Sequence, residues 1–314
     1  MAFPFLGDVF NHFFGLDWNL PIPMFGLFVA TAIVLATYVA RKEVERYQGL
    51  SLLGSARVIV SKTGETQWIP VHGVISDLAL VCAIAGIVGA RVFHILEYPS
   101  DFLGDPMSMI FTQGGFSIYG GLVFGFVAGI VFLRKREIPL WPMLDALSPS
   151  LILGYAIGRV GCQISGDGDW GIAADLGSKP DWLPQWFWAQ TYENNVIGVV
   201  IQSPGVYPTP LYEVLMGLLI FAILWNVRKR FMPLGMMFFL YLLLSGFERL
   251  LIEQIRINTE YRLFNLAFTQ AELISTLLII IATVGIVRVA RMHRLNSALF
   301  VSFVSILMTA CMSL

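Results

Sequence analysis

The stretch GRVGCQISGDGDWG, Gly158 to Gly171, closes an apolar run of membrane length and sets one arginine, five glycines, one cysteine and two aspartates at its end. Hydrocarbon offers no water to unsatisfied polar groups, so a segment of this kind belongs at an interface, and the run before it reads as a span. Composition agrees. Apolar residues make up 57% of the 314 and charged residues 13%, against about 45–50% and about 25% in soluble domains. Continuous apolar runs fall at about 24–40, 72–96, 115–133, 143–160, 210–227, 234–255 and 271–289, with one more at 296–313. Each is near the roughly 20 residues a helix needs to cross hydrocarbon. The runs are continuous rather than alternating, which excludes a barrel. The expected fold is therefore an all-α polytopic membrane protein, one membrane-embedded helical domain over 1–314. It has seven transmembrane helices, and 296–313 is either an eighth span or an interfacial helix.

Fourteen of the twenty basic residues cluster in alternate connections: Arg41 to Lys62, Arg134 to Arg136, Arg228 to Arg230 and Arg288 to Arg294. The positive-inside rule makes those segments cytoplasmic. The N-terminus and the connections at 97–114, 161–209 and 256–270 then face outward, with 161–209 as a loop and arm carrying Trp182, Trp186, Trp188 and Tyr192. The first span has no basic leader before it and is followed by Arg41-Lys42, so it is not expected to be a cleaved signal peptide.

Several function classes drop out. The three cysteines are widely spaced and the four histidines have no ligand spacing, so neither a disulfide framework nor a metal site is expected. No cofactor fingerprint is present, and basic residues divided into topology patches give no nucleic-acid surface.

Six basic residues lie outside the clusters: Arg91, Arg159, Lys179, Arg249, Arg256 and Arg262. Arginine inside a span costs at least about 2.5 kcal/mol near the centre, so it is kept for a partner or a function. Snorkelling to the interface is the plain alternative for Arg91 and Arg256. In GFERLLIEQIR, Arg249, Glu253 and Arg256 follow i, i+4, i+7 and are expected on one helix face, with one carboxylate between two arginines and a positive charge left for an anion. Gly161, Gly166, Gly168 and Gly171 permit the positive φ of an anion-binding turn after Arg159, and Asp167 and Asp169 stand among them. Two further polar segments face the same side. TQGGFSIYGGLVFG places Tyr119 and Gly120 beside a small-residue face, and YPTPLYEVLMG places Tyr212 and Glu213 in the first turns of a helix.

Taken together with their separations, the segments at 158–171, 118–125, 208–213 and 245–256 resemble the prolipoprotein diacylglyceryl transferases, from about Phe25 to Gly285. The resemblance implies a seven-helix bundle in the bacterial inner membrane with its N-terminus outside and its active site toward the periplasm. It implies transfer of the diacylglyceryl group of phosphatidylglycerol to the lipobox cysteine thiol of prolipoprotein signal peptides, with release of glycerol 1-phosphate and no cofactor. By motif, Arg159 and Arg249 match catalytic arginines, Glu253 and Arg256 the charges that follow, and Gly171 the end of the signature. Tyr119 stands where many members have a histidine, Cys162 and Ser165 where they have asparagines, Asp167 where they have glutamate, and Phe25 where tyrosine is usual.

The chemistry needs arginines to hold a lipid phosphate and its leaving charge, and a base for the incoming thiol. Arg159 and Arg249 serve the first need; Tyr119, Asp167 and Glu253 are the candidates for the second. Arg91, Arg256, Ser165, Gly166, Gly171, Gly120, Tyr212 and Glu213 are the candidates for substrate contact. Two other readings use the same arginines: an anionic-lipid transporter or binding protein, and a transferase of the same family with another acceptor.

Overall fold

The computed structural model describes residues 1–59, 64–111, 117–230, 233–258, 260–263 and 266–293. The run at 296–313, with Gln113, Lys62 and Arg294, lies outside the described residues. In chain order the elements are α1 (Leu6–Phe14), α2 (Met24–Gly49), β1 (Ser55–Ile59), β2 (Thr66–Pro70), α3 (Ile75–Glu97), α4 (Pro99–Gly104), α5 (Pro106–Phe111) and α6 (Ile118–Lys135). There follow α7 (Leu140–Ser165), α8 (Gln185–Trp188), α9 (Thr209–Val227), α10 (Met236–Glu253), β3 (Glu260–Leu263), β4 (Leu266–Thr269) and α11 (Gln270–Met292). Among the described residues, each of the seven apolar runs from 24 to 289 contains a helix. Five helices are long and apolar enough to cross a membrane among the described residues: α2, α3 with the 3-10 turn before it, α7, α9 and α11. Their outward faces carry exposed Val34, Ile87, Leu219 and Val284. Such faces are costly in water and neutral in lipid, where tails are as apolar as leucine.

The chain forms two compact units, Thr37–Ala146 and the remainder. In the first, α3 and α6 cross at glycines. A Cβ on Gly120 would meet the Gly89 carbonyl oxygen, one on Gly121 would stand 3.4 Å from the Gly86 oxygen, and one on Gly125 3.4 Å from the Cys82 oxygen. Small residues let two backbones approach and gain dispersion contacts that lipid cannot replace. The hairpin β1–β2 pairs antiparallel from Ser55↔Pro70 to Ile59↔Thr66, and Arg57 in it bonds Glu137 at 3.0 Å.

In the second unit α10 packs on α11 through Met236, Leu243, Ile279, Ala282 and Ile286. Gly246 permits the approach, since a Cβ there would lie 2.8 Å from Ile279 Cγ1. Ile152, Ile220, Leu224, Leu240 and Leu244 join α7, α9 and α10. The ends of these helices are fixed by local chemistry. Pro210 opens α9 in its first turn, where its missing N–H costs nothing. Thr269 and Glu272 make a reciprocal capping box at α11, with Glu272 N donating to Thr269 Oγ1 at 3.1 Å and Thr269 N to Glu272 Oε2 at 2.8 Å.

Two expectations change. α7 continues to Ser165, so Gly161 is a helix residue rather than a turn residue. It is small because α2 lies against it: a Cβ would stand 2.9 Å from Phe28 Cβ. Gly154 faces Ala36 in the same way, at 3.3 Å, whereas Gly158 has open space. The positive φ values belong to Gly166 (62°) and Gly168 (97°). Second, α10 ends at Glu253, so Arg256 does not continue its face. Arg256 instead forms an isolated antiparallel bridge with Gly171, beside the bond from Ile172 N to the Ile255 oxygen at 2.8 Å.

Candidate active site: three arginines on one buried carboxylate

Glu213, in the first turns of α9, is the centre of the polar cluster. Its side chain is 0% exposed and takes Arg159 Nε at 3.2 Å, Arg249 Nη1 at 3.4 Å and Arg256 Nη1 at 3.3 Å. The three guanidinium groups come from the end of α7, the last turns of α10 and the strand-like segment after α10. The Tyr155 hydroxyl lies 3.1 Å from Glu213 Oε1 and 3.0 Å from Glu248 Oε1, so its single proton serves one of the two at a time. The ring of Tyr155 sits 5.3 Å beneath the Arg159 guanidinium carbon.

A second carboxylate closes the outer side of the cluster. Asp169 binds Arg159 Nη1 through one oxygen and Arg256 Nη2 through the other. Its backbone is held as well, because Thr209 Oγ1 donates to its carbonyl oxygen at 2.6 Å. A third carboxylate, Glu253, bonds Arg249 Nη2 at 2.9 Å. Its other oxygen accepts from Asn258 Nδ2 at 2.6 Å and from the Thr269 hydroxyl that caps α11. The expectation that Glu253 stands between Arg249 and Arg256 is therefore corrected. Glu253 serves Arg249, while Arg256 turns to Asp169 and Glu213 because α10 has already ended. The expected surplus of positive charge is corrected too: three arginines meet three carboxylates.

Gly171 is where the signature loop must be glycine. A Cβ there would collide with the Ile255 carbonyl oxygen and stand 2.9 Å from Thr209 Cγ2. Its N–H donates to Tyr207 O at 2.8 Å, so the loop returns between α9 and the end of α10 and delivers Asp169 to the arginines. Asp167 is half-buried two residues earlier and accepts the N–H of Asp169 at 3.3 Å. Burial raises its carboxyl above the ordinary aspartate value, and the Asp169 charge adds to the rise. Cys162 Sγ is 3.7 Å from Arg159 Nη1. Ligand atoms of Cys162, Asp167 and Asp169 lie within 4.8 Å of one another. They do not suit a cation, since both Asp169 oxygens face guanidinium groups.

The remaining candidates fall in supporting places. Ser165 is buried at the end of α7 with its hydroxyl 3.5 Å from the Cys162 oxygen, and Gly166 opens the loop. The Tyr212 hydroxyl donates to Phe187 O at 2.7 Å and so pins the aromatic arm. In the arm itself, Tyr192 stacks on Trp170 with centroids 5.1 Å apart and donates to Gln163 Oε1 at 2.7 Å, and Gln163 donates to Gln190 Oε1 at 2.8 Å. Trp182 and Trp186 are exposed. Within the first unit, Arg91 Nη1 donates to Met109 O at 3.1 Å, Gly120 is occupied by the crossing with Gly89, and Tyr119 is half-buried on α6. Asp169, Tyr155 and Gln163 were not singled out from the sequence as site residues. The one available signal was the second aspartate of GDGDWG, spaced to return to the arginine that opens the segment.

A family model described as prolipoprotein diacylglyceryl transferase matches residues 11–288. The chain belongs to that family. Among curated relatives named phosphatidylglycerol–prolipoprotein diacylglyceryl transferase, the one from Corynebacterium efficiens is 28% identical over 284 residues, covering 87% of this chain and 79% of the relative. Those from Oceanobacillus iheyensis and Enterococcus faecalis are each 28% identical, over 272 residues (85% and 84% of the two chains) and 279 residues (87% and 88%).

Loss of one partner from a buried ion cluster leaves uncompensated charge and costs about 3–5 kcal/mol. Glu213→Gln is expected to fall in that range, read as a large drop in melting temperature of the purified protein. Glu253→Gln, which removes one partner from one arginine, is expected to cost less. Equal stability of Glu213→Gln and the parent would contradict the central place given to this carboxylate.

Proposed function

We propose that this chain transfers the diacylglyceryl group of phosphatidylglycerol to the lipobox cysteine thiol of a prolipoprotein, releasing glycerol 1-phosphate. Family membership supports the reaction class, and the observation that carries the assignment of residues is the convergence of Arg159, Arg249 and Arg256 on one point. Transfer breaks the bond between a glyceryl carbon and a phosphate oxygen, forms a bond from that carbon to the substrate sulfur, and leaves the electron pair on the phosphate. The thiol proton must be taken up. Planar guanidinium groups hold phosphate oxygens two at a time and stabilise the charge as it grows.

Arg249 is the most exposed of the three, at 25% of its side chain, against 12% for Arg159 and 9% for Arg256. We assign it the developing charge on the leaving phosphate. With phosphatidylglycerol and a lipobox peptide as substrates, Arg249→Ala is expected to lower turnover by about 100- to 1000-fold, the scale of losing one oxyanion donor, with a smaller change in lipid affinity. Arg249→Lys keeps charge but not the planar fork and is expected to be severely impaired as well. A folded Arg249→Ala protein that lipidates peptide near the parent rate would sink the assignment.

Asp167 is the proposed acceptor of the thiol proton. Glu253 is enclosed among Arg249, Asn258 and Thr269, whereas Asp167 lies in the loop beside the arginines, and burial raises its carboxyl above the ordinary aspartate value, which favours proton uptake. A raised carboxyl is protonated, and so inactive as a base, up to a higher pH than an ordinary aspartate. Turnover should therefore rise with pH through that range. Asp167→Asn should lower turnover by about 100-fold or more and abolish that acid limb. A variant with an unchanged acid limb would assign the proton to another group.

The basic clusters support seven crossings in one membrane-embedded domain of the bacterial inner membrane, with 161–209 as the periplasmic loop and arm. α6 and α10, at 18 residues each, span about 27 Å and would complete the seven. In a protein with its native cysteines removed, an impermeant thiol reagent applied to spheroplasts is expected to label Lys179→Cys and to leave Lys135→Cys untouched. The reverse pattern would invert the orientation.

A further inference from the structure

A site for a phosphate needs positive charge to spare, yet the cluster as it stands has none. Arg159, Arg249 and Arg256 face Glu213, Asp169 and Glu253. An incoming anion must replace one of these carboxylates, and the three are not equivalent. Glu213 is 0% exposed and serves three arginines, and Glu253 is 0% exposed and is tied to the α11 cap. Taking either away would leave buried charge without a partner. Asp169 alone is open to the outside, with 26% of its side chain exposed and two partners.

Its placement is that of a bridging anion. One oxygen lies on Arg159 and the other on Arg256, as two non-bridging oxygens of a phosphate would. The backbone of Asp169 is fixed independently of these bonds, by Thr209 Oγ1 on its carbonyl oxygen and by Asp167 on its N–H. The carboxylate can therefore leave by rotation of the side chain toward water while the loop stays in place.

The geometry points to Asp169 as an internal anion that occupies the phosphate subsite and is displaced by the lipid phosphodiester, charge for charge. This inference rests on the proposed reading of the arginines as the phosphate site and adds the carboxylate that competes for it. A fixed strut and a displaceable stand-in predict opposite outcomes when the charge is removed. A strut holds the two guanidinium groups in place, so its loss weakens anion binding; a competitor's loss tightens it.

The test is product inhibition of the full-length enzyme in detergent or nanodiscs by glycerol 1-phosphate, with glycerol as the neutral control. Asp169→Asn is expected to lower the inhibition constant about tenfold, the order of one charge-assisted hydrogen bond, and to lower KM for phosphatidylglycerol in parallel. Asp169→Ser, which also drops the charge, should do the same, and Asp169→Glu, which retains it, should not. An unchanged or weaker inhibition in the two uncharged variants overturns the inference, as does failure of both to fold, since that outcome makes Asp169 a strut. If glycerol 1-phosphate does not inhibit the parent enzyme at all, the reading of the arginines has failed. If it inhibits the parent and Asp169→Asn equally, only the competing role of Asp169 has failed.

Discussion

The Glu213 carboxylate, without any exposed surface and in contact with three arginines from three segments, is the constraint around which this unit is arranged. Three guanidinium groups cannot approach one another without an anion between them, and an anion so deeply buried cannot exist without them. The pair of requirements fixes where α7, α9 and α10 end relative to one another. It also explains why α9 carries a glutamate one turn after its start. The apolar packing of Ile152, Ile220 and Leu244 further along the same helices would be compatible with several registers, whereas the charge cluster is compatible with one.

Around that centre the surrounding loops act as clamps. Gly171 lets the loop after α7 pass against the Ile255 carbonyl, and Thr209 takes hold of Asp169 one turn before Glu213. Glu253 holds Arg249 from below and is itself held by the hydroxyl that caps α11. A guanidinium that must meet a phosphate in one orientation needs partners of this kind, because a freely rotating arginine would lose rotamer entropy on every binding event. The aromatic arm is tied to the same frame through Gln163 and Tyr212, so its exposed Trp182 and Trp186 are carried on a fixed support.

Much of this was legible in the sequence, and what was not has physical causes. The apolar runs gave the helices from 24 to 289 with ends misjudged by up to nine residues, because hydropathy does not register a helix that continues through charged Arg41 to Arg46, as α2 does, or through polar Gln163 and Ser165, as α7 does. Arg159, Arg249, Arg256, Glu213 and Glu253 were legible as chemistry, since charge inside an apolar run is expensive. Their pairing was not. Heptad-like spacing placed Glu253 between two arginines on one helix face, but the helix stops at Glu253 and the chain turns to pair with Gly171. Asp169 lies ten residues from Arg159 in a loop, and Tyr155, one turn before Arg159 on the same helix face, reaches Glu213 and Glu248 on two other helices. Contacts of that kind are set by how loops return, which no periodicity encodes.

Charge balance links the resting cluster to the proposed reaction. A phosphodiester carries one negative charge, so its exchange for the Asp169 carboxylate leaves the cluster neutral. Breaking the glyceryl carbon–oxygen bond turns that diester into a monoester whose charge is about −1.5 to −2 at neutral pH. The added charge appears only as the bond breaks, and a group that meets it then lowers the barrier without tightening the hold on the lipid beforehand. Arg249 suits that part because Glu253 and Glu213 already position it and its outer surface is still open. On the proposed assignment the thiol proton goes to Asp167, a carboxyl whose burial beside Asp169 favours taking it up. On these assignments the proton that leaves the thiol neutralises Asp167 as the phosphate gains charge, so the net charge around the buried arginines, with Asp167 counted beside Glu213, Glu253 and the lipid phosphate, is the same before and after the step.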